Sequence, residues 1–306
     1  MAWECSKNLL LSFFYSGSNI RAEEEISMTA IDRLIGLASR PVPMRTLILR
    51  RLLKSWRIGS FEARLRAEGV VRPHYAWPVY FAACEAKALG HKAITVAEFG
   101  VAGGNGLACL CELKKEIEKA VGIEILVVGF DSGSGLPVSS DPRDILYSWP
   151  PGSFVMNRPA LEARIGGRAQ LVIGNVSETV SGWQPNPKAP LGAVMFDLDY
   201  YTSTMSALPV LTKENVLPRV WCYLDDICGG HEEAMTDFVG ERAAISEFNL
   251  SPDRKKLNDN ISLTYPFKWF QPQAWHQHIY AYHRINHPRY NTCITRDRDQ
   301  LQLASG

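Results

Sequence analysis

The chain predicts an α/β fold: a mainly parallel sheet of seven strands with helices on both faces, preceded by a helical segment. Three observations carry this expectation. Past Gly90, short apolar runs alternate with helical patterns, the rhythm of parallel strands joined by crossover helices. Two of the runs, Val194-Met195-Phe196 and Val220-Trp221-Cys222-Tyr223-Leu224, are apolar at successive positions, as strands buried on both faces are. Each run ends in paired acids, Asp197 with Asp199 and Asp225 with Asp226, and in open α/β sheets ligands bind beyond the carboxyl ends of the strands.

In chain order, residues 26 to 89 show apolar side chains at three- and four-residue intervals, first Ile31, Leu34, Ile35 and Leu37, then Leu47, Leu49, Leu52, Leu53 and Trp56. Pro41 and Pro43 separate these two helices, and a third begins near Pro73 and stops at Gly90. Strands are then expected at Ile94–Phe99, Ile125–Phe130, Leu171–Ile173, 193–198 and 220–224, with helices at Gly104–Lys119, Thr202–Leu211 and Glu233–Phe248. ISLTYPF from Ile261 and HIYAYHRI from His278 supply the last two strands. The segment from Gly133 to Phe154 is a long, aromatic loop at the ligand edge, where lids often occur. The expected organisation is a helical segment over 1–90 serving as lid or oligomerisation element, a catalytic domain over 91–290 and a tail over 291–306.

With 306 residues, 46% hydrophobic and 21% charged, the composition is that of an ordinary globular protein. A formal net charge of +1 implies no bulk attraction to nucleic acid. The balance is uneven. Residues 40–72 hold nine Lys or Arg against Glu62 and Glu68, a run read here as a solvated face rather than a membrane-binding one. Seven scattered cysteines fit free thiols in a reducing compartment. The apolar start is interrupted by Ser12 and lacks an A-x-A-like site, so a cytoplasmic protein with no membrane span is expected.

Four carboxylates at two strand ends repel one another unless they share protons or hold a hard divalent cation, while a single Asp there more often caps the following helix. The arrangement of all four favours a metal site. Before it lies Glu98-Phe99-Gly100-Val101-Ala102-Gly103-Gly104-Asn105-Gly106, between a strand and a helix. Its glycines permit close backbone approach of a ligand. It fits neither G-x-G-x-x-G, because Ala102 and Asn105 occupy the second and third glycine positions, nor a Walker loop, because no G-K-[ST] follows. Glu98, two residues before the first glycine, suits a ligand with a positive charge rather than a pyrophosphate.

EFGVAGGNG, GFDSGSGLP, FDLDYYTST and YLDDI, in this order and at these intervals, resemble the class I S-adenosylmethionine-dependent methyltransferases. The closer resemblance is to the magnesium-dependent O-methyltransferases related to the macrocin and novobiocin sugar methyltransferases, and it covers residues 73 to 290. It implies a Rossmann-like fold and, as cofactors, S-adenosylmethionine and Mg²⁺ or another divalent cation. It also implies that Glu98 with Gly100, Gly103 and Gly104 receives the methionine part of the cofactor, that Asp131 with Ser132 beside it receives the ribose, and that the turn Ile173 to Asn175 borders the adenine. Asp197, Asp225 and Asp226 match the family's metal positions, the second lying 28 residues after the first. Asp199 is implied as their support or as part of the acceptor site. In related catechol-type enzymes a lysine follows the first metal aspartate by three residues. Tyr200 stands there in this chain, which excludes a lysine base at that point.

Catalytic roles fall to Asp197, as proton acceptor, and to His231, which is either a base at the acceptor or a surface histidine in a loop. His276, His278, His283 and His287 are read as structural or rim residues, because strand alternation keeps them from forming one ligand set. Tyr147 and Trp149 either stack on the acceptor or pack beneath the loop. The expected activity is therefore methylation of a hydroxyl on a small molecule, a sugar or a phenolic natural product. Family relatives often pair through such N-terminal helices, which leaves a homo-oligomer open. Three other readings were weighed. A metal-dependent nucleotide-sugar transferase explains Asp197-Leu198-Asp199 but leaves the glycine loop without a role. A dehalogenase-like phosphatase expects its D-x-D early in the chain and a Thr or Val where Tyr201 stands. A non-catalytic cofactor-binding protein has no need of clustered carboxylates.

Overall fold

The computed structural model describes residues 44–230, 233–250, 255–259 and 274–294. Helices α1 (Met44–Trp56), α2 (Phe61–Arg66) and α3 (Pro73–Ala88) precede the sheet. There follow β1 (Ala93–Phe99), α4 (Asn105–Val121), β2 (Glu124–Asp131), α5 (Arg158–Ile165), β3 (Gln170–Ile173), α6 (Val176–Gly182) and β4 (Leu191–Phe196). The chain continues through α7 (Tyr201–Ala207), β5 (Val216–Leu224), α8 (Gly240–Asn249), β6 (Lys255–Asp259) and β7 (Ile279–Arg284). The seven strands form one Rossmann-like sheet in the order β3-β2-β1-β4-β5-β7-β6. β1 to β5 run parallel, while β7 pairs antiparallel with both β5 and β6.

Side chains alternate across this sheet, and each face has its own core. Ile94 and Val96 of β1 join Ile125, Val127, Ala193 and Met195 beneath α3 and α4, where Tyr75, Trp77, Leu107 and Leu110 are buried. Ala97 and Phe99 face the other way, with Val128, Phe130, Val194, Phe196, Cys222 and Leu224, beneath Ala243 and Ala244 of α8. The rings of Phe99, Phe130 and Phe196 stack at centroid distances of 4.5 and 5.6 Å, so three adjacent strand ends share one apolar floor. Glu98 falls on the α3 and α4 side by the same alternation. That parity sets its partners.

Several boundaries depart from the sequence-based expectation. The helix expected over Glu233–Phe248 begins only at Gly240, because the residues after Glu233 turn and Gly240 itself takes φ +58°. Thr202–Leu211 divides into α7 and a 3₁₀ turn, Leu208–Thr212, at Pro209, which removes a backbone donor. Helices α2, α5 and α6 are too short to show periodicity and were not anticipated. The helix near Ile31, the strand from Ile261 and the tail past residue 294 lie outside the described residues. Nor is the basic stretch only a solvated face: Arg50 is paired with buried Glu68, and Arg64 with Glu116 at 2.6 Å. Among the described residues, no helix is long and apolar enough to cross a membrane.

Candidate active site

Strand register builds the site. Phe99 lies beside both Phe130 and Phe196, and Phe196 beside Leu224. The next residue of each strand or its exit, Gly100, Asp131, Asp197 and Asp225, therefore stands on one ledge. The ladder continues one step past the strands, with Gly100 N–H donating to Phe130 O at 3.0 Å, Asp197 N–H to Phe99 O at 3.0 Å and Asp225 N–H to Phe196 O at 2.9 Å. The strand order reverses between β1 and β4, which is where open α/β sheets leave a crevice. Gly100 and Asp197 flank that reversal, and a methyl group on Gly100 would run into the Asp197 carbonyl.

On the β1 side Glu98 is 2% exposed and accepts a hydrogen bond from the Tyr75 hydroxyl at 2.8 Å. Its Oε2 is buried with no hydrogen-bond partner. Burial pushes the carboxyl up to about 8, against the lowering influence of the Tyr75 hydrogen bond and of Arg72. Gly106 belongs to the same packing, since a Cβ there would meet both the Glu98 carboxylate and the Tyr75 hydroxyl. Gly100 and Gly104 take φ +83° and +77°, so the loop turns in a conformation that side chains disfavour. Gly103 is exposed beside them. Asp131 holds this loop from the next strand: its Oδ2 accepts from Val101 N–H at 2.9 Å and Ala102 N–H at 2.8 Å, and its Oδ1 from Gly133 N–H at 2.6 Å. Two oxygens offer about four acceptor positions, so roughly one stays free for a ligand. Ser132 is exposed and donates to Gly135 O at 2.9 Å, and Asn175 caps α6 by accepting from Ser177 N–H at 2.9 Å.

On the β4 and β5 side, Asp197, Asp225 and Asp226 each offer a carboxylate oxygen, all within 4.8 Å of one another. Burial raises Asp197 and Asp226 well above the usual carboxylate range, and the surrounding acids raise them further. Asp199 is also buried and raised, and it sits at φ +57°, a costly conformation for a residue with a side chain. Its N–H donates to Asp226 Oδ2 at 2.8 Å, which ties the D-x-D turn to the acid pair.

A further carboxylate, unforeseen from sequence, completes the frame. Glu241 on α8 is fully buried and accepts from Asp226 N–H at 3.0 Å. Tyr223 donates to Asp225, and the His278 Nδ1–H donates to Leu224 O at 2.8 Å. His74 packs against Tyr223 at 5.0 Å, and burial with Arg72 and His278 nearby lowers it to about 3, so it is neutral. Apart from Tyr223 of YLDDI, these partners carry no motif. His74 reaches the ledge from α3, Glu241 from α8 and His278 from the 3₁₀ turn that leads into β7.

The remaining histidines bond separately: His276 approaches Glu68 at 3.3 Å, His283 bonds the Tyr290 hydroxyl at 2.7 Å, and His287 accepts from Arg289 N–H at 3.0 Å. His231 lies outside the described residues. The long loop is fastened to the ledge. Buried Asp144 accepts from Thr202 N–H and hydroxyl at 2.8 and 2.7 Å, Tyr200 donates to Trp149 O at 2.6 Å, and Tyr147 donates to Glu233 O at 3.0 Å. Trp149 packs on Phe154 at 5.5 Å, and the Tyr147 ring is largely exposed.

No family model matches the chain, and no curated protein matches it. Among solved structures, the chain is similar to CalS11, calicheamicin methyltransferase, with 19% identity and a TM-score of 0.47 over 89% of this chain and 100% of that one. The apo structure of CalS11, a TDP-rhamnose 3'-O-methyltransferase, aligns at 19% identity and a TM-score of 0.41 over 90% and 99% of the two chains. The O-methyltransferase TomG of Streptomyces achromogenes, in complex with S-adenosylmethionine, aligns at 10% identity and a TM-score of 0.38 over 83% and 98%.

Proposed function

We propose that the chain is an S-adenosylmethionine-dependent, Mg²⁺-assisted O-methyltransferase that acts on a hydroxyl of a small molecule, a sugar or a phenolic natural product. One observation carries the reading: the register of β1, β4 and β5 sets Glu98 and the glycine loop beside the aspartate trio, across the reversal of strand order. A methyl donor and a cation-held hydroxyl would meet there.

The residues suit both groups. The unpartnered, buried Glu98 Oε2 fits an amino group, the acceptor position left on Asp131 fits a ribose hydroxyl, and the turn to Asn175 is read as the edge of the adenine site. Asp197, Asp225 and Asp226 offer the all-oxygen set that Mg²⁺ prefers. A bound cation would lower the hydroxyl pKa and hold the oxyanion. This chain supplies position and a proton acceptor. Glu98 with Gly100, Gly103 and Gly104 would hold the donor, and positioning of this kind is what an in-line methyl transfer requires. When bound, the cofactor would supply the methyl group and leave as a thioether, while Asp197 or His231 would take the hydroxyl proton. The division at residue 90, self-association through the N-terminal helices and a cytoplasmic setting belong to the same reading.

Calorimetry with S-adenosylhomocysteine, with and without Mg²⁺, tests it. Binding is expected with both glycine loop and acids intact, and Asp225→Ala is expected to abolish turnover while leaving affinity for S-adenosylhomocysteine largely unchanged. Binding of a uridine nucleotide sugar, with none of S-adenosylhomocysteine, overturns the reading in favour of the glycosyltransferase.

A further inference from the structure

Among the described residues, Arg72 is a cation without an ion-paired partner. It immediately precedes α3, in a left-handed conformation with φ 44°, and its guanidinium lies 5.2 Å from the centroid of the Tyr75 ring. Among the described residues no carboxylate lies within 4 Å of it, in contrast to Arg50, Arg64 and Arg219, whose acids are close by. Burial lowers its pKa, but the influence of Tyr75, Cys109, Glu98 and Asp197 outweighs that and raises it, so the half-buried group is charged and lies in the field of the site's acids. Cys109 is one turn into α4, which places Arg72 over the helix that the glycine loop enters.

Glu98, which Arg72 influences electrostatically, forms no ion pair with it. Glu98 spends one oxygen on the Tyr75 hydroxyl and keeps the other buried and unpartnered. Tyr75 thus stands between the two groups, with the guanidinium against its ring and the Glu98 carboxyl at its hydroxyl. A guanidinium and a carboxyl that an ammonium can ionise, held apart by one ring, match a zwitterion presented with its ammonium toward Glu98 and its carboxylate toward Arg72.

We propose that Arg72 binds the α-carboxylate of the amino-acid end of the cofactor, with Glu98 taking the α-ammonium and Tyr75 spacing the two. A planar fork beside a buried ring suits a carboxylate, and the cation–π contact holds the fork in place before the ligand arrives. The inference rests on the reading of the glycine loop as a cofactor pocket and adds the recognition of its amino-acid end. Arg72 does not touch the reacting atoms. It is a positioning residue.

The test compares two ligands that share the adenosine and differ in the amino-acid end, S-adenosylhomocysteine and 5'-methylthioadenosine. In Arg72→Gln, the Kd for S-adenosylhomocysteine is expected to rise about 10- to 100-fold, the loss of one hydrogen-bonded charge pair, while that for 5'-methylthioadenosine stays unchanged. Arg72→Lys is expected to fall between, because it keeps the charge and loses the fork. An equal loss for both ligands assigns Arg72 a merely structural role and overturns the proposal, as does no change for either. If the unaltered protein binds 5'-methylthioadenosine and S-adenosylhomocysteine equally, the cofactor reading stands and the zwitterion site falls. If it binds neither, both fall.

Discussion

At the scale of single residues, Glu98 shows how burial changes a carboxyl. Its folded-state pKa of about 8 means that near pH 7 the carboxyl is mostly protonated, and an ammonium ligand must drive the proton off. Cofactor binding at pH 7 is then expected to release a proton, visible as a dependence of calorimetric enthalpy on buffer ionisation enthalpy, and affinity is expected to rise up to about pH 8. Glu98→Gln removes both effects. An enthalpy independent of buffer in the unaltered protein would sink the assignment. The sign for stability is opposite to that for affinity: a carboxyl raised by folding contributes fully below its unfolded value near 4.5, and that contribution is lost as pH rises through about 8. Gly106→Ala attacks the same spot sterically, because the new methyl meets Glu98 and Tyr75. It is expected to cost about 1–3 kcal/mol in denaturant melts and to weaken S-adenosylhomocysteine binding. Glu98 and the glycines were legible in the sequence because turn chemistry is local. Arg72, Tyr75 and Glu241 were not, since their side chains matter only once α3 and α8 pack on the ledge.

At the scale of elements, the loop between β2 and β3 is an anchored wall. Its fastener is Asp144, fully buried and bonded to Thr202 at the start of α7. Asp144→Ala leaves the Thr202 donors without that partner, which is expected to cost about 1–3 kcal/mol and to raise KM for the acceptor more than it lowers cofactor affinity. Steady-state kinetics beside S-adenosylhomocysteine titration would check this, and an equal effect on both ligands would contradict it. Strands β1, β2, β4 and β5 were legible because buried parallel strands are written as unbroken apolar runs. β6 was hidden for a physical reason: an edge strand with one neighbour needs less apolar sequence, and Lys255–Asp259 reads KKLND. The late start of α8 was equally hidden, because the Glu233–Phe248 pattern is compatible with a helix throughout, whereas the helix itself begins only at Gly240.

At the scale of the molecule, one rigid sheet brings together carboxylates that would repel in any looser arrangement. Asp197, Asp226 and Glu241 are all raised well above their usual range, chiefly by burial. Without a cation the cluster opposes folding at neutral pH, and Mg²⁺ is expected to raise Tm by mass action. Asp226→Asn is expected to raise the metal-free Tm at pH 8 and to abolish the response to Mg²⁺, as differential scanning fluorimetry would show. A full Mg²⁺ response in that variant would remove Asp226 from the ligand set. The pairing of β5 with β7 reaches back in time as well as across space. On the ribosome, β5 is synthesised well before the strand that covers its outer edge, Ile279–Arg284. At 5–20 residues per second that interval lasts roughly 3–11 s, during which the tip bearing Asp225 and Asp226 has one flank bare. The acidic centre is therefore finished only once β7 has emerged, and a chain interrupted before that point would carry the aspartates but expose an unprotected strand to its neighbours.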